Sequence, residues 1–337
     1  MIGVKKISMR PVKFAALCAY FGKWPETFPA WLESCRANDD IHFFIVSDIA
    51  TEGLSLPENV RVVRMSFAEL QTRAIQKLIP YLRDVSEEQM RLALSRVYKL
   101  CDYKPTYGIV FDDLFKGYEY WGFCDLDTIW GRISDFIPQR NTGAWKKIFP
   151  CGHLTFLANT VEMREVIFRA RDFDDLKSPE YVYTHAEACY YDEWKGLDCV
   201  VRRLFGKDYY DSPAAIDDVA WWRLGFSGIQ QPDAGCRFFD VWNGGRLWRV
   251  SRSGWTLLRK ERAYIHFQKR KLRLQIDPGK ECQWMILPEG IVRWQEVGFI
   301  RACWLMRTRA VQYVFIRFTR KIKKFCCYEN SYLKIRE

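Results

Sequence analysis

Apolar and polar positions along this chain follow two periods, and together they predict strands that alternate with helices. Short apolar runs that end in polar residues predict strands at 12–20, 41–46, 60–65 and 120–124. Apolar residues at helical spacing predict helices at 28–35, 87–100 and 161–171, and a capping box at 66–69 predicts the start of another. This order indicates an α/β fold with a mostly parallel central sheet and flanking helices.

The second half of the chain is less regular. Its patterns predict a strand at 148–158, a short helix at 214–223, paired strands within 237–250 and a strand at 264–271. They also predict a basic amphipathic helix, or a pair of helices, at 301–324. Asn243, Gly244 and Gly245 supply the turn of the paired strands. Asp217 and Asp218 are interpreted mainly as the start of the short helix. Ligands of parallel sheets bind beyond the carboxyl ends of the strands, so the chemistry is expected there.

The aromatic strand 120–124 ends in Asp125-Leu126-Asp127, which is the first candidate metal site. Residues two apart in a strand point to the same face, so the two carboxylates repel each other and are costly to desolvate. A divalent cation removes that cost, and hard cations prefer carboxylate oxygen. The alternative is a strand-to-loop turn with two solvated aspartates. Asp48, at the end of 41–46, is expected near the pair.

A late segment places one of the four histidines of the chain before three cations. Tyr264, His266 and Gln268 share one face of the predicted strand, and the run 269–271 reads Lys-Arg-Lys. A histidine there can supply a nitrogen ligand, and the cations can neutralise phosphate. The alternative is an edge strand with a solvated basic end.

Two further segments combine charged groups with aromatic rings. Asp102 and Lys104, two residues apart before Pro105, could hold a nucleotide or sugar hydroxyls, or form a local ion pair at a helix end. The run 190–194, Tyr-Tyr-Asp-Glu-Trp, suits sugar binding, because sugar CH faces stack on rings while carboxylates accept hydrogen bonds from hydroxyls. A carboxylate is also the usual base that activates an acceptor hydroxyl. The alternative for 190–194 is a solvated acidic turn.

The net charge of +11 is uneven along the 337 residues. Residues 301–337 carry ten Lys and Arg against two Glu, so the rest of the chain is only about +3. A body with so little charge does not resemble a nucleic-acid binder, and no nucleic-acid partner is predicted. The basic tail is instead expected to lie against an anionic membrane surface, and the alternative is a helix packed on the domain.

Cysteine usage and hydropathy predict a cytoplasmic protein. The chain has twelve cysteines without a Cys-x-x-Cys pair, which favours reduced thiols over a zinc site. The apolar run 14–22 is too short to span a bilayer and is not followed by a small-residue cleavage site. A location in the cytoplasm, peripheral on the inner face of the membrane, is therefore expected.

The ordered set of motifs resembles bacterial glycosyltransferases of the GT-A fold found among capsule and O-antigen polysaccharide proteins. The matching stretches are KFAALCAYFGKWPETFPAWLESC (13–35), YKLCDYKPTYG (98–108), YWGFCDLDTIWGRI (120–133), GHLTFLAN (152–159), YDEW (191–194) and YIHFQKRK (264–271). The segment 106–119 is longer than the corresponding connection in GT-A enzymes. The resemblance implies a Rossmann-like GT-A domain over 1–298, with donor binding in about 1–135 and acceptor binding in 136–298, followed by the tail 299–337.

The resemblance also implies roles for individual residues. Asp127 would be the direct ligand of Mn²⁺ or Mg²⁺, Asp125 would reach the ribose, the sugar or a metal-bound water, and His266 would complete the coordination. The implied donor-binding residues are Tyr20, Lys99, Asp102, Lys104, Lys269 and Lys271. The implied acceptor or sugar contacts are Gly152, His153 and Trp194. Asp192 or Glu193 would be the catalytic base if the anomeric configuration inverts, and would take another role if it is retained.

The expected reaction is sugar transfer from a nucleoside-diphosphate sugar to a growing bacterial polysaccharide or a lipid-linked glycan. UDP and galactose are the nucleotide and sugar expected from the resemblance. Two other classes of function stay open. One is a different metal-dependent phosphoryl-transfer enzyme or nuclease, and the other is a non-catalytic, membrane-associated polysaccharide assembly protein.

Overall fold

The computed structural model of the chain describes residues 13–137, 145–212, 215–219, 226–227, 237–268 and 270–307. The α-helices are α1 (Phe28–Arg36), α2 (Phe67–Leu78), α3 (Glu87–Ala93), α4 (Tyr107–Val110), α5 (Val161–Glu165), α6 (Pro179–Thr184), α7 (Leu197–Phe205) and α8 (Phe299–Arg307). Short 3-10 helices span Ile79–Tyr81, Val97–Thr106, Ile133–Phe136, Val166–Asp172 and Gly206–Asp208. Within these described ranges, none of the helices combines the length and apolarity that crossing a membrane requires.

The strands of the described residues form three sheets. They are β1 (Phe14–Ala19), β2 (Ile41–Ser47), β3 (Val60–Arg64), β4 (Tyr120–Cys124), β5 (Thr128–Trp130), β6 (Lys147–Ile148), β7 (Leu154–Ala158), β8 (Tyr209–Tyr210), β9 (Ile216–Asp218), β10 (Phe226–Ser227), β11 (Arg237–Asn243), β12 (Arg246–Ser253), β13 (Thr256–Arg262), β14 (Tyr264–His266), β15 (Arg273–Leu274), β16 (Gln283–Leu287) and β17 (Gly290–Arg293). The predicted α/β class, with a largely parallel first sheet, is confirmed.

The first sheet has the order β3-β2-β1-β4-β7-β6-β8. Its pairs β3–β2, β2–β1 and β1–β4 are parallel, so the carboxyl ends of these four strands meet at one edge. β4 also pairs antiparallel with β7. The strands β1 and β4 are buried over nearly their whole length, as expected of parallel strands covered by helices on both faces.

The helix α2 begins as the sequence predicts. The Ser66 hydroxyl accepts a hydrogen bond from the Glu69 amide at 3.2 Å, and the Glu69 carboxylate accepts one from the Ser66 amide at 2.7 Å. This reciprocal capping box satisfies two amide donors that a helix end leaves open.

The helix predicted at 87–100 ends early, at Ala93. The side-chain amide of Gln71 on α2 donates to the carbonyls of Arg91 and Leu94, both at 3.0 Å. These carbonyls are therefore satisfied without further α-helical turns, and the chain continues as the 3-10 helix 97–106. Local spacing does not reveal this contact with a separate helix.

The strand predicted at 148–158 is two antiparallel strands, β6 and β7, joined by a loop. Phe149 has a φ of 66°, which ends β6 after Ile148. The buried ammonium of Lys147 donates to the carbonyls of Phe149 and Pro150 at 2.8 and 3.3 Å, and so holds this loop from inside.

The second sheet is mostly antiparallel and has the order β13-β12-β11-β16-β17-β15, with β10 beside β11. The predicted hairpin is confirmed, because Asn243 pairs with Arg246 across a turn of Gly244 and Gly245 that both have positive φ. Trp242 stacks on Trp284 with ring centroids 3.9 Å apart.

A third, small sheet has the order β5-β14-β9. It corrects two predictions. The described part of the helix predicted at 214–223 is the strand β9, because Ile216–Asp218 pairs in parallel with β14. The strand predicted at 264–271 ends at His266, and Gln268 has a φ of 48° that turns the chain away.

Candidate functional site

The loop that joins β4 to β5 carries Asp125 and Asp127, and its backbone is held from three sides. The Asp125 carbonyl accepts hydrogen bonds from the Trp31 indole at 3.2 Å and the Thr128 hydroxyl at 2.8 Å. The Asp127 carbonyl accepts from the Phe267 amide at 2.8 Å. The loop backbone is thus satisfied by protein, and the carboxylates of Asp125 and Asp127 are 28% and 29% exposed.

The third sheet brings His266 to this loop, because β14 pairs with β5 and places His266 opposite Thr128. The Nε2 atom of His266 lies 3.5 Å from Asp127 Oδ1. One ligand atom from each of Asp125, Asp127 and His266 lies within 4.8 Å of the others. The structure thus joins three residues that the sequence predicts as metal ligands.

Asp218 completes this arrangement, and sequence reasoning did not assign it to the site. Its Oδ1 atom lies 2.9 Å from His266 Nδ1, and the Gln268 side-chain amide donates to both of its oxygens at 3.0 and 3.1 Å. The only sequence signal was the acidic pair Asp217-Asp218. Asp217 turns away to the buried guanidinium groups of Arg249 and Arg262.

The two carboxylates set the protonation of His266. Burial by itself lowers the pKa of the imidazole, but Asp127 and Asp218 outweigh it and raise that pKa to about 10. The protonated imidazole of His266 thus lies between two carboxylates, with Nε2 towards Asp127 and Nδ1 towards Asp218. A divalent cation beside Asp127 would replace the positive charge of the Nε2 proton. Two carboxylates and an imidazole with a carboxylate behind it form a donor set that fits such a cation.

His153, one of the predicted sugar or acceptor contacts, stacks on His266 with ring centroids 4.1 Å apart. Burial, the charge of His266 and that of Lys104 lower the pKa of His153 well below its usual range. Its Nδ1 atom is buried without a hydrogen-bond partner among the residues that the structure describes. A ligand atom of His153 also lies within 4.8 Å of ligand atoms of Asp218 and His266.

Lys104 links the loop between β4 and β5 to the acidic run 190–194. Its ammonium lies 2.7 Å from Asp125 Oδ1 and 3.0 Å from Asp192 Oδ2, and it donates to the Gly152 carbonyl at 3.0 Å. Burial lowers the pKa of Lys104, but Asp125 and Asp192 reverse this and raise it well above its usual range. Three predicted site residues, Asp125, Asp192 and Gly152, therefore meet at the ammonium of Lys104.

The neighbours Asp192 and Glu193 differ in environment. Asp192 is buried, which raises the pKa of its carboxyl, while Lys104 opposes the shift. Glu193 is only partly buried, and burial together with the charge of Asp192 raises its pKa from 4.5 to about 7. The charges of Asp125 and His266 also act on Glu193, which puts it within electrostatic reach of the candidate metal ligands.

Lys99 and Asp102, predicted to bind the donor, form a fully buried ion pair of 2.6 Å. Asp102 accepts from the amides of Cys189 and Tyr191 at 2.8 and 2.9 Å, and Lys99 donates to the Glu187 carbonyl at 2.9 Å. The pair therefore holds the segment 187–191 that leads into Asp192 and Glu193.

Three large aromatic side chains lie at the surface of this acidic run. Tyr98, Tyr190 and Trp194 are 47%, 52% and 60% exposed, although each is large enough to be buried in a core. Tyr98 and Tyr190 are joined by a side-chain hydrogen bond, and the charges of Asp192 and Glu193 act on Tyr98. Tyr98 was not among the predicted site residues, although it begins the stretch 98–108.

The remaining predicted donor-binding residues are less closely tied to the cluster. Tyr20 directly follows β1. Burial, together with electrostatic interactions with Cys18 and Asp127, raises the pKa of its hydroxyl. Lys271 is exposed between β14 and β15, and Lys269 lies outside the described residues. Asp48 is exposed beyond β2 and belongs to neither group of candidate metal ligands within the described chain.

The comparisons with known proteins identify a family but no activity. A family model described as "Family of unknown function (DUF6625)" matches residues 16–295, so the chain belongs to that family. Comparison with curated proteins and with solved structures gives no match. The matched range contains every predicted site residue, from Tyr20 to Lys271.

Proposed function

We propose that this member of the DUF6625 family is a metal-dependent glycosyltransferase that uses a nucleoside-diphosphate sugar. The observation that carries the proposal is the convergence of Asp125, Asp127 and His266 beyond the carboxyl end of β4. Carboxylates and imidazole are suitable ligands for Mn²⁺, and the carboxylates alone also suit Mg²⁺. In sheets of this kind ligands bind beyond the carboxyl ends of the strands.

In this proposal Asp127 and His266 would hold the cation, and Asp125 would contact it directly or through water. The chemistry supplied there would be Lewis-acid stabilisation of the charge on the departing nucleoside diphosphate. His266 must give up its proton to act as a ligand, and Asp218 keeps the ring oriented as it does so. Lys104 holds the Asp125 carboxylate in place through a contact of 2.7 Å.

Glu193 suits the role of catalytic base better than Asp192 in this proposal. The Oδ2 atom of Asp192 is engaged by Lys104, whereas Glu193 is partly exposed and its pKa of about 7 is near neutral pH. If the reaction inverts the anomeric carbon, Glu193 takes the proton of the acceptor hydroxyl as the new C–O bond forms and the bond to the diphosphate breaks. If configuration is retained, Glu193 orients the acceptor instead.

The exposed rings of Tyr98, Tyr190 and Trp194 support a glycan as the acceptor. Aromatic faces bind the CH faces of sugars, and these rings adjoin the proposed base. A growing polysaccharide or a lipid-linked glycan, handled in the cytoplasm, fits a platform that is open to solvent. UDP and galactose stay the proposed nucleotide and sugar.

A thermal-shift experiment tests the nucleotide and the metal together. UDP at about 100 times its dissociation constant should stabilise the wild-type protein by ~2.7 kcal/mol when Mn²⁺ is present, and by much less when Mn²⁺ is chelated. Asp127→Asn should lose the Mn²⁺-dependent part of this stabilisation by UDP. Asp174→Asn, which changes an exposed carboxylate, should keep it. The proposal fails if no nucleoside diphosphate shifts the wild-type melting temperature, or if Asp127→Asn responds as the wild type does.

The products separate the proposed reaction from phosphoryl transfer. Incubation with UDP-sugars and Mn²⁺ should release UDP, because a glycosyltransferase breaks the bond between the sugar and the diphosphate. Release of UMP would mean that the diphosphate itself is cleaved, and the other metal-dependent class would then apply.

A further inference from the structure

A second surface, distant in sequence from the metal-binding loop, exposes large apolar groups. Trp255 and Ile300 are 90% and 85% exposed, more than any other large apolar side chain that the structure describes, and Trp304 is 62% exposed. Trp255 lies at the turn between β12 and β13, after Gly254 with its positive φ. Its ring centroid is 5.9 Å from that of Phe299 on α8. The hairpin tip and the first turn of α8 thus form one patch.

The helix α8 already uses its other face for packing. Ala302 and Met306 are buried against the second sheet in a cluster with Phe239 and Met285. Ile300 and Trp304 are one turn apart on a different stripe of the helix. Their exposure is therefore fixed by the packing of the helix, and a contiguous exposed apolar patch marks an interaction site.

The charge around this patch is mostly positive. Arg252, Arg259, Lys260 and Arg301 are exposed on the same hairpin and helix, and Glu296 is the exposed acid that precedes α8. In the sequence alone, residues 308–337 contain eight Lys and Arg against two Glu. A partner for this face must accept tryptophan side chains and carry negative charge.

We propose that Trp255, Ile300 and Trp304 dock this protein on the surface of an anionic lipid bilayer. Tryptophan rings favour the boundary between headgroups and acyl chains, and basic side chains beside them are attracted to anionic headgroups. The sequence predicts membrane contact for the basic tail 299–337, whereas this surface also includes a hairpin some fifty residues earlier. The inference does not depend on the glycosyltransferase proposal.

Vesicle co-sedimentation of the full chain tests it, with phosphatidylcholine vesicles that contain or lack phosphatidylglycerol. The wild type should bind the anionic vesicles and be released by high salt. Trp255→Ser with Ile300→Ser should weaken binding at least ~10-fold, because two apolar side chains no longer leave water. Leu92→Ser with Val161→Ser removes similar exposed apolar groups elsewhere and should bind as the wild type does.

Each single variant, Trp255→Ser and Ile300→Ser, is measured as well, with melting temperature as the check on folding. Quenching of wild-type tryptophan fluorescence by brominated lipid gives a reading that needs no variant. Wild-type affinity in the patch variants would overturn the inference, since the charge of 308–337 would then suffice. Failure of the wild type to bind anionic vesicles would also overturn the inference. The patch would then have another occupant, either a second copy of the chain or residues 308–337.

Discussion

His266 and Asp218 are register partners across the parallel strands β14 and β9, and His266 Nδ1 lies 2.9 Å from Asp218 Oδ1. This contact directs the other ring nitrogen to Asp127, 3.5 Å away. A carboxylate on the far nitrogen of an imidazole fixes its tautomer and makes it a stronger ligand. Asp218 should therefore affect metal binding without touching the metal.

Asp218→Asn is expected to weaken Mn²⁺ binding by ~10–100-fold, because the amide orients the ring but carries no charge to increase its basicity. Titration calorimetry with Mn²⁺ on the purified variant measures the change. Asp135→Asn, at an exposed carboxylate paired with Arg246, is the matched control and should bind Mn²⁺ as the wild type does. Unchanged affinity in Asp218→Asn would remove His266 from the set of metal ligands.

The sequence predicted Asp218 poorly because the evidence for β9 is not local. Residues 216–218 become a strand by pairing with β14, some fifty residues later, and local propensity does not contain that partner. The acidic pair at 217–218 is instead typical of a helix start, whereas in the structure these residues belong to the strand β9. By contrast, β1, β2 and β4 are continuous apolar runs, and their prediction from the sequence is confirmed.

The candidate site likewise contains some residues that local sequence predicts and others whose contacts depend on distant parts of the chain. Asp125 and Asp127 can be predicted from the sequence because they directly follow a buried apolar strand. The structure has this loop at the position that the sequence predicts, after β4. The bridge that Lys104 makes to Asp192 spans 88 residues, and no spacing rule predicts which of the partly buried cations reaches which acid. Lys99 and Asp102 carry the right charges, but the structure places them under the segment 187–191.

Lys104→Met should destabilise the protein by about 3 kcal/mol at neutral pH, because it leaves Asp192 buried without its partner charge. The loss should shrink at acidic pH, where Asp192 becomes protonated and no longer needs the ammonium. Denaturant unfolding at several pH values measures both effects.

Lys146→Met provides the matched control for Lys104→Met. Lys146 pairs with the exposed Glu162 at 2.6 Å, and such surface pairs contribute about 0–1 kcal/mol. If the two variants lose equal stability, the buried bridge has no special weight.

Glu193→Gln should lower the rate of sugar transfer by ~10²–10⁴-fold and remove its dependence on pH near neutrality. In the wild type the rate should rise with pH and level off above about 7, because the base must be ionised and its pKa is about 7. Asp192→Asn separates the two neighbours, since it should lower the rate mainly through the position of Lys104. A rate that falls as pH rises through 7 would contradict a base at Glu193.

The same group should shift stability with pH. The folded pKa of Glu193, about 7, exceeds the ordinary value of 4.5, so the folded protein binds this proton more tightly than the unfolded chain. Its contribution to the free energy of unfolding is fully present below pH 4.5 and is lost as pH rises to about 7. The unfolding free energy of Glu193→Gln should fall less over this interval. Equal slopes for both proteins would indicate that Glu193 titrates normally.

Gly152→Ala tests whether the position of Asp192 matters for activity. A Cβ atom at residue 152 would lie 2.3 Å from Asp192 Oδ2, the oxygen that Lys104 binds, so this carboxylate has to move. A shift of about 1 Å in a group that positions catalytic residues can lower the rate by ~100-fold. The rate of sugar transfer should therefore fall by that order while the protein stays folded. Gly206→Ala adds the same methyl group where nothing lies within 4 Å, and it should leave the rate unchanged. Wild-type turnover in Gly152→Ala would mean that the contact between Asp192 and Lys104 serves the fold alone, because the methyl group cannot fit without disturbing it.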